Sequence, residues 1–168
     1  MEGESYSSLN MSPMPARVAP IFPTNLPTPL QAAALEAWRA YPELQGSRVR
    51  IHFRRVKKAT MQARPRWDVL FRGGIHRSYE IRLRKRWHFA PGTPLEAFPH
   101  QVLVGWFAHE LGHIMDYRRR SSVSILRFVL GYLFSPAYRR QAEHAADCFA
   151  IEHGLGAAIL ATKTYLLE

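Results

Sequence analysis

From Arg48 to Phe89, hydrophobic and polar residues alternate with a period of two. Val49, Ile51 and Phe53 would share one face of a strand, with Arg48, Arg50, His52 and Arg54 on the other. Trp67, Val69 and Phe71 repeat the alternation, and Gly73-Gly74 makes a turn. Tyr79, Ile81 and Leu83 then alternate with Glu80, Arg82 and Arg84. The pattern predicts three strands of a sheet, one face covered by helices and the other strongly basic. On either side the spacing becomes helical. Thr28-Pro29 opens a helix from Leu30 to about Tyr41, which Pro42 stops. Val102 to Ala108, with Ile114 and Met115, sets apolar groups at helical spacing, and Ser135-Pro136 caps another helix. Between these two, Ser121 to Phe134 is an apolar run broken by Ser124, Arg127 and Gly131. It is too short to span a bilayer and reads as a buried helix. Its flanks, Arg118-Arg119-Arg120 and Arg139-Arg140, would also suit a helix on an anionic membrane, so peripheral membrane contact through 121–134 is the alternative.

These elements describe an α+β protein of 168 residues, with 47% hydrophobic residues to fill one core. Residues 30–168 read as a single domain. Residues 1–29 hold six of the twelve prolines and read as an extended arm. Neither a signal peptide nor a full-length transmembrane helix is visible, so a cytoplasmic location is expected. Cys148 is the only cysteine, which excludes a disulfide framework and a multi-thiolate metal site.

The candidate chemistry centres on His109-Glu110-Leu111-Gly112-His113. Histidines at i and i+4 project from one helix face, so both imidazoles can reach one metal ion. Glu110 between them sits at the rim, where it can take a proton from an attacking water. A catalytic zinc site needs a third protein ligand. Position 119 is arginine, so the HExxHxxGxxH arrangement is absent. Downstream, Glu143 and Asp147 are again i and i+4, among Ala142, Ala145, Ala146, Phe149 and Ala150. Two stacked carboxylates in such company call for a cationic partner. Glu143 is therefore expected as the third ligand, and Asp147 as acceptor of the remaining ring N–H of a ligand histidine, His109 first. His144 ranks second as ligand and His153 third.

HExxH followed by Glu143-x-x-Ala146-Asp147-x-x-Ala150 resembles the gluzincin peptidases. The similarity is to the branch holding the HtpX-type heat-shock proteases, the CAAX-prenyl proteases and the small single-domain minigluzincins. It covers residues 100 to 155, and the long membrane-spanning segments of the larger relatives are missing, which favours the minigluzincin comparison. The resemblance implies a zincin-like fold: a small twisted sheet of three or more strands packed on an active-site helix and a glutamate-bearing helix. It also implies one Zn2+ per chain and hydrolysis of peptide bonds in a peptide or protein substrate. Glu110 would be the general base, and Tyr132, Tyr138 or His144 a second oxyanion donor. The strand before the metal helix would line the cleft, so Tyr79, Glu80, Ile81, Arg82 and Leu83 are expected to receive extended substrate at a strand edge. Small peptidases of this kind can be made as inactive precursors, and the 1–29 arm lying across the cleft would give such latency.

The formal net charge of +10 leaves one competing class: a non-catalytic basic module that binds an anionic membrane surface or nucleic acid. No zinc ribbon and no aromatic-rich RNA-binding signature accompanies the charge, so nucleic acid is the lesser expectation.

Overall fold

A computed structural model describes residues 19–56, 59–66, 77–87 and 92–167. Helix α1, Thr28–Arg39, starts with proline in its first turn, where no amide donor is needed. Leu30, Ala33, Ala34, Ala37 and Trp38 form its buried stripe. A short 3-10 turn follows at Pro42–Gly46 and leads into β1, Arg48–Phe53. Strands β2, Met61–Pro65, and β3, Ser78–Leu83, complete a three-stranded mixed sheet in the order β1-β3-β2. β1 runs parallel to β3, with Ile51 opposite Ile81, and β2 runs antiparallel to it, with Ala63 opposite Ile81. Val49, Ile51, Met61, Ala63, Tyr79, Ile81 and Leu83 make the buried face. The opposite face carries Arg48, Arg50 and Arg64, but also Glu80, only 7% exposed, which binds the Arg82 guanidinium and lies 3.2 Å from His52.

One expectation about the sheet is untested and another changes. The strand read at Trp67–Phe71 lies outside the described residues. Among the described residues the strand pairing antiparallel with β3 is Met61–Pro65, whose weak alternation and proline hid it. The correction concerns Tyr79–Leu83. β3 is the centre of the sheet and its backbone is engaged on both sides, so it offers no edge to a substrate. The edge belongs to β2. Arg84 N–H donates to Thr60 O and Arg66 N–H to Ser78 O, so the backbone groups of even-numbered residues face β3 and those of Met61, Ala63 and Pro65 point to the outer edge, while the Met61 and Ala63 side chains stay buried. Proline at an outward position removes no sheet hydrogen bond.

The arm is pinned where it is described. Ile21 N–H donates to Val49 O at 2.9 Å, Ile51 N–H donates to Ile21 O at 2.9 Å, and Leu26 is buried. Residues 19–27 thus meet the β1 side of the sheet, away from β2.

Helix α2, His100–Arg119, is the hub, packed against α1, β2, α4 (Pro136–Glu152) and α5 (Gly156–Leu167). Two glycines permit this. A Cβ at Gly105 would lie 2.2 Å from Ala158 O, and one at Gly112 would lie 2.3 Å from Ala146 O. α4 answers with its own small stripe, Ala142, Ala146 and Ala150, all buried. Helix α3, Ser122–Phe134, links α2 to α4 and buries only Ile125 and Phe128. Among the described residues no helix is long and apolar enough to cross a membrane.

Candidate metal centre

Close contact between α2 and α4 builds the site. Because Gly112 sits between the two histidines' turn and Ala146, the α4 face bearing Glu143 and Asp147 comes up against His109 and His113. The two imidazole rings stand 4.7 Å apart and nearly perpendicular, at 86°. Glu143 Oε2 lies 3.0 Å from His109 Nε2 and 3.7 Å from His113 Nε2. Ligand atoms of His109, His113 and Glu143 all fall within 4.8 Å of one another, a group that could hold a metal ion. Convergence of two imidazoles and a carboxylate suits a divalent cation that accepts nitrogen and oxygen donors.

Second contacts set the orientation of two of the three candidate ligands. Asp147 Oδ1 is 2.9 Å from His109 Nδ1, so an Nδ1–H donor there leaves Nε2 pointing at the centre. The Tyr132 hydroxyl donates to Glu143 Oε1 at 2.6 Å. Glu110, 7% exposed, accepts the backbone N–H of Ala63 from the outward edge of β2. Tyr41 OH donates to Ala108 O at 2.8 Å, bracing α2 one residue before the motif.

The charges interlock. Burial opposes a charged His109, but hydrogen bonds to Asp147 and Glu143 and the nearby Glu110 outweigh it and raise its pKa to about 10. Burial likewise pushes Glu143 upward, yet the bonds from His109, His113 and Tyr132 hold it far below the usual carboxylate range. Asp147 is lowered as well: desolvation is overcome by His109 and Lys163. Glu110 goes the other way, raised by burial against the pull of both histidines. A metal ion bound here displaces the His109 proton, so metal and proton compete.

An open cleft of about 410 Å³ runs past these groups, walled by β2 on one side and by α3 and α5 on the other. Tyr132 lines it; Tyr138 and His144 do not. Tyr138 packs on Phe128, ring centroids 5.7 Å apart, beside Gly131. His144 is exposed and touches Cys148 Sγ at 3.7 Å, a third of a turn off the Glu143 face. His153 is spent elsewhere, stacked 4.2 Å from Tyr41 with Glu43 3.1 Å away.

Three participants were not foreseen. Lys163 Nζ lies 2.7 Å from Asp147 Oδ2 and completes a chain from α5 to His109. Its signal was readable, since Lys163 is the lone charge in α5. Tyr117, buried and stacked 6.3 Å from His113, walls the cleft one turn further along α2. The third is β2 itself. Compared with protein-family models, with curated proteins and with solved structures, the chain matches none.

Proposed function

We propose that the chain is a zinc-dependent endopeptidase of gluzincin type, acting on extended or unfolded polypeptides. The observation that carries this reading is the convergence of His109, His113 and Glu143 within 4.8 Å, with Glu110 beside them at an open cleft. A zinc ion bound there would supply Lewis-acid chemistry, acidifying water and polarising a carbonyl. His109 Nε2, His113 Nε2 and Glu143 Oε2 would hold it, kept in place by Asp147 and Tyr132. Glu110 moves the proton. Its Oε2 is tied to the Ala63 N–H, so Oε1 takes a proton from the attacking water and returns it to the leaving amine nitrogen. Burial, which raises its pKa, makes it the stronger base. Substrate lies along β2, where the Met61 N–H and the Met61 and Ala63 carbonyls point to the outer edge while the Ala63 N–H is held by Glu110, so an extended chain can add there through main-chain hydrogen bonds. Tyr132 orients Glu143, and of the three sequence candidates for an oxyanion donor it is the one on the cleft wall.

The deciding experiment measures zinc per chain and chelator-sensitive cleavage of casein for the parent, Glu110→Gln and Glu143→Ala. The parent is expected to hold about one zinc. Glu110→Gln should keep the zinc and lose activity by roughly 10²- to 10⁴-fold. Glu143→Ala should lose the metal. Normal cleavage by Glu110→Gln would sink the reading, and absence of zinc from the parent after reconstitution would turn attention to the basic binding module.

A further inference from the structure

Among the described residues, the most apolar helix turns its apolar side outward. Along α3, Val123, Leu126, Val129, Leu130, Leu133 and Phe134 are exposed, from 38% for Val129 to 80% for Phe134. At 3.6 residues per turn these six fall within about half the helix circumference, with Ile125 and Phe128 anchoring the opposite side in the core. A continuous exposed stripe of this kind marks an interaction surface.

Charge selects the partner. No acidic residue occurs between Asp116 and Glu143, a stretch that holds six arginines. Arg120 is committed to Asp116, 2.9 Å away, but Arg127 at the edge of the stripe and Arg140 beyond it are exposed. Arg139 donates to Tyr132 O at 3.3 Å, which sets its guanidinium beside the C-terminal half of α3. A second copy of the chain would bring one cationic rim against another, whereas an anionic lipid surface satisfies both the apolar stripe and the arginines. Thirteen residues make a helix about 20 Å long, too short for the roughly 30 Å hydrocarbon core and suited to lying in the interface.

We infer that α3 docks the protein on an anionic lipid bilayer, its stripe inserted among the headgroups. Val129 and Leu133 belong both to this stripe and to the cleft wall, so docking brings the cleft mouth to the bilayer surface. The docking itself stands apart from the peptidase reading, because it requires neither metal nor turnover.

The test is flotation of the full chain with vesicles of phosphatidylcholine alone and with about one third phosphatidylserine, at low and high salt. Variants are the triple exchange Leu126→Gln, Leu130→Gln, Phe134→Gln, which leaves the cleft wall untouched, and the pair Arg127→Glu, Arg140→Glu, which leaves the stripe intact. The parent should float with the phosphatidylserine vesicles and release as salt rises, and each variant should partition at least about 10-fold more weakly. Zinc content and thermal melting of the variants, read in parallel, separate lost docking from lost folding or a lost metal site. Undiminished flotation of both variants would overturn the inference. So would a parent that ignores vesicles yet forms a dimer in sedimentation that the triple exchange dissolves, since the stripe would then be a contact between copies.

Discussion

Helices α3 and α4 lie side by side, and the more apolar of the two buries fewer side chains. α3 is apolar almost throughout, yet only Ile125 and Phe128 reach the core. α4 carries Arg139, Arg140, Glu143 and Asp147, yet its Ala142, Ala146 and Ala150 are buried against the hub helix. Hydrophobicity alone therefore does not decide which helix goes inside. Close approach does. Gly112 and the alanine stripe let the α2 and α4 backbones nearly touch, and that contact carries the two carboxylates to the histidines. α3 presses inward chiefly through Phe128, which meets Tyr117 of α2 at a centroid distance of 5.3 Å and stacks on Tyr132 of its own helix at 5.9 Å.

The sharpest way to break this contrast is Gly112→Ala. Its new methyl would meet Ala146 O at 2.3 Å, so α4 must retreat. A loss of about 3 kcal/mol is expected from overpacking, read by chemical denaturation, together with weakened metal binding. A variant as stable as the parent, with full metal affinity, would mean that the α2–α4 distance does not govern the centre. Next in size is Asp147→Ala, which should weaken metal affinity by roughly 10- to 100-fold by freeing the His109 ring. Equilibrium competition against a chelator dye reads it directly, and an unchanged constant would reduce the His109–Asp147–Lys163 chain to surface pairing.

Proton linkage tests the same helix pair. His109 has its folded pKa raised, from 6.5 to about 10, so its contribution stabilises the metal-free fold fully below pH 6.5 and is lost as pH climbs through 10. Glu143 and Asp147 are lowered, so their share is present above ordinary carboxylate values and disappears as pH falls. The melting temperature of the chelator-treated chain should therefore decline between about pH 7 and 10, while metal affinity rises over that range. A melting curve flat in pH would show that His109 is not held as an imidazolium between carboxylates. At the small end, Leu126→Gln on α3 should change stability by no more than about 0.5 kcal/mol, because that side chain is 57% exposed. A cost of several kcal/mol would place the α3 stripe inside the core after all.

How much of this could be read in advance follows the range of the forces. The i, i+4 pairs His109–His113 and Glu143–Asp147 needed only helical geometry, and so did the Ser135-Pro136 start, where Ser135 Oγ accepts the Tyr138 N–H at 3.2 Å. Val49–Phe53 and Tyr79–Leu83 were legible as strands because one face of each is buried. The third strand was not. β2 is held by hydrogen bonds to β3, with only Met61 and Ala63 as its apolar signal, and an edge strand of that kind depends on what stands beside it. The expectation that 79–83 forms the edge failed for the same reason: alternation reports the two faces of a strand and says nothing of its two sides.

The sequence by itself determined the α+β class, the helix carrying two histidines and a glutamate, and the carboxylate pair meant to meet them, since each rests on contacts within a few residues. The tertiary structure decided that Gly112 admits Ala146, that Lys163 closes on Asp147, that β2 rims the cleft, and that α3 shows its apolar stripe to the outside. These depend on where distant segments lie in space, and local spacing carries no record of that.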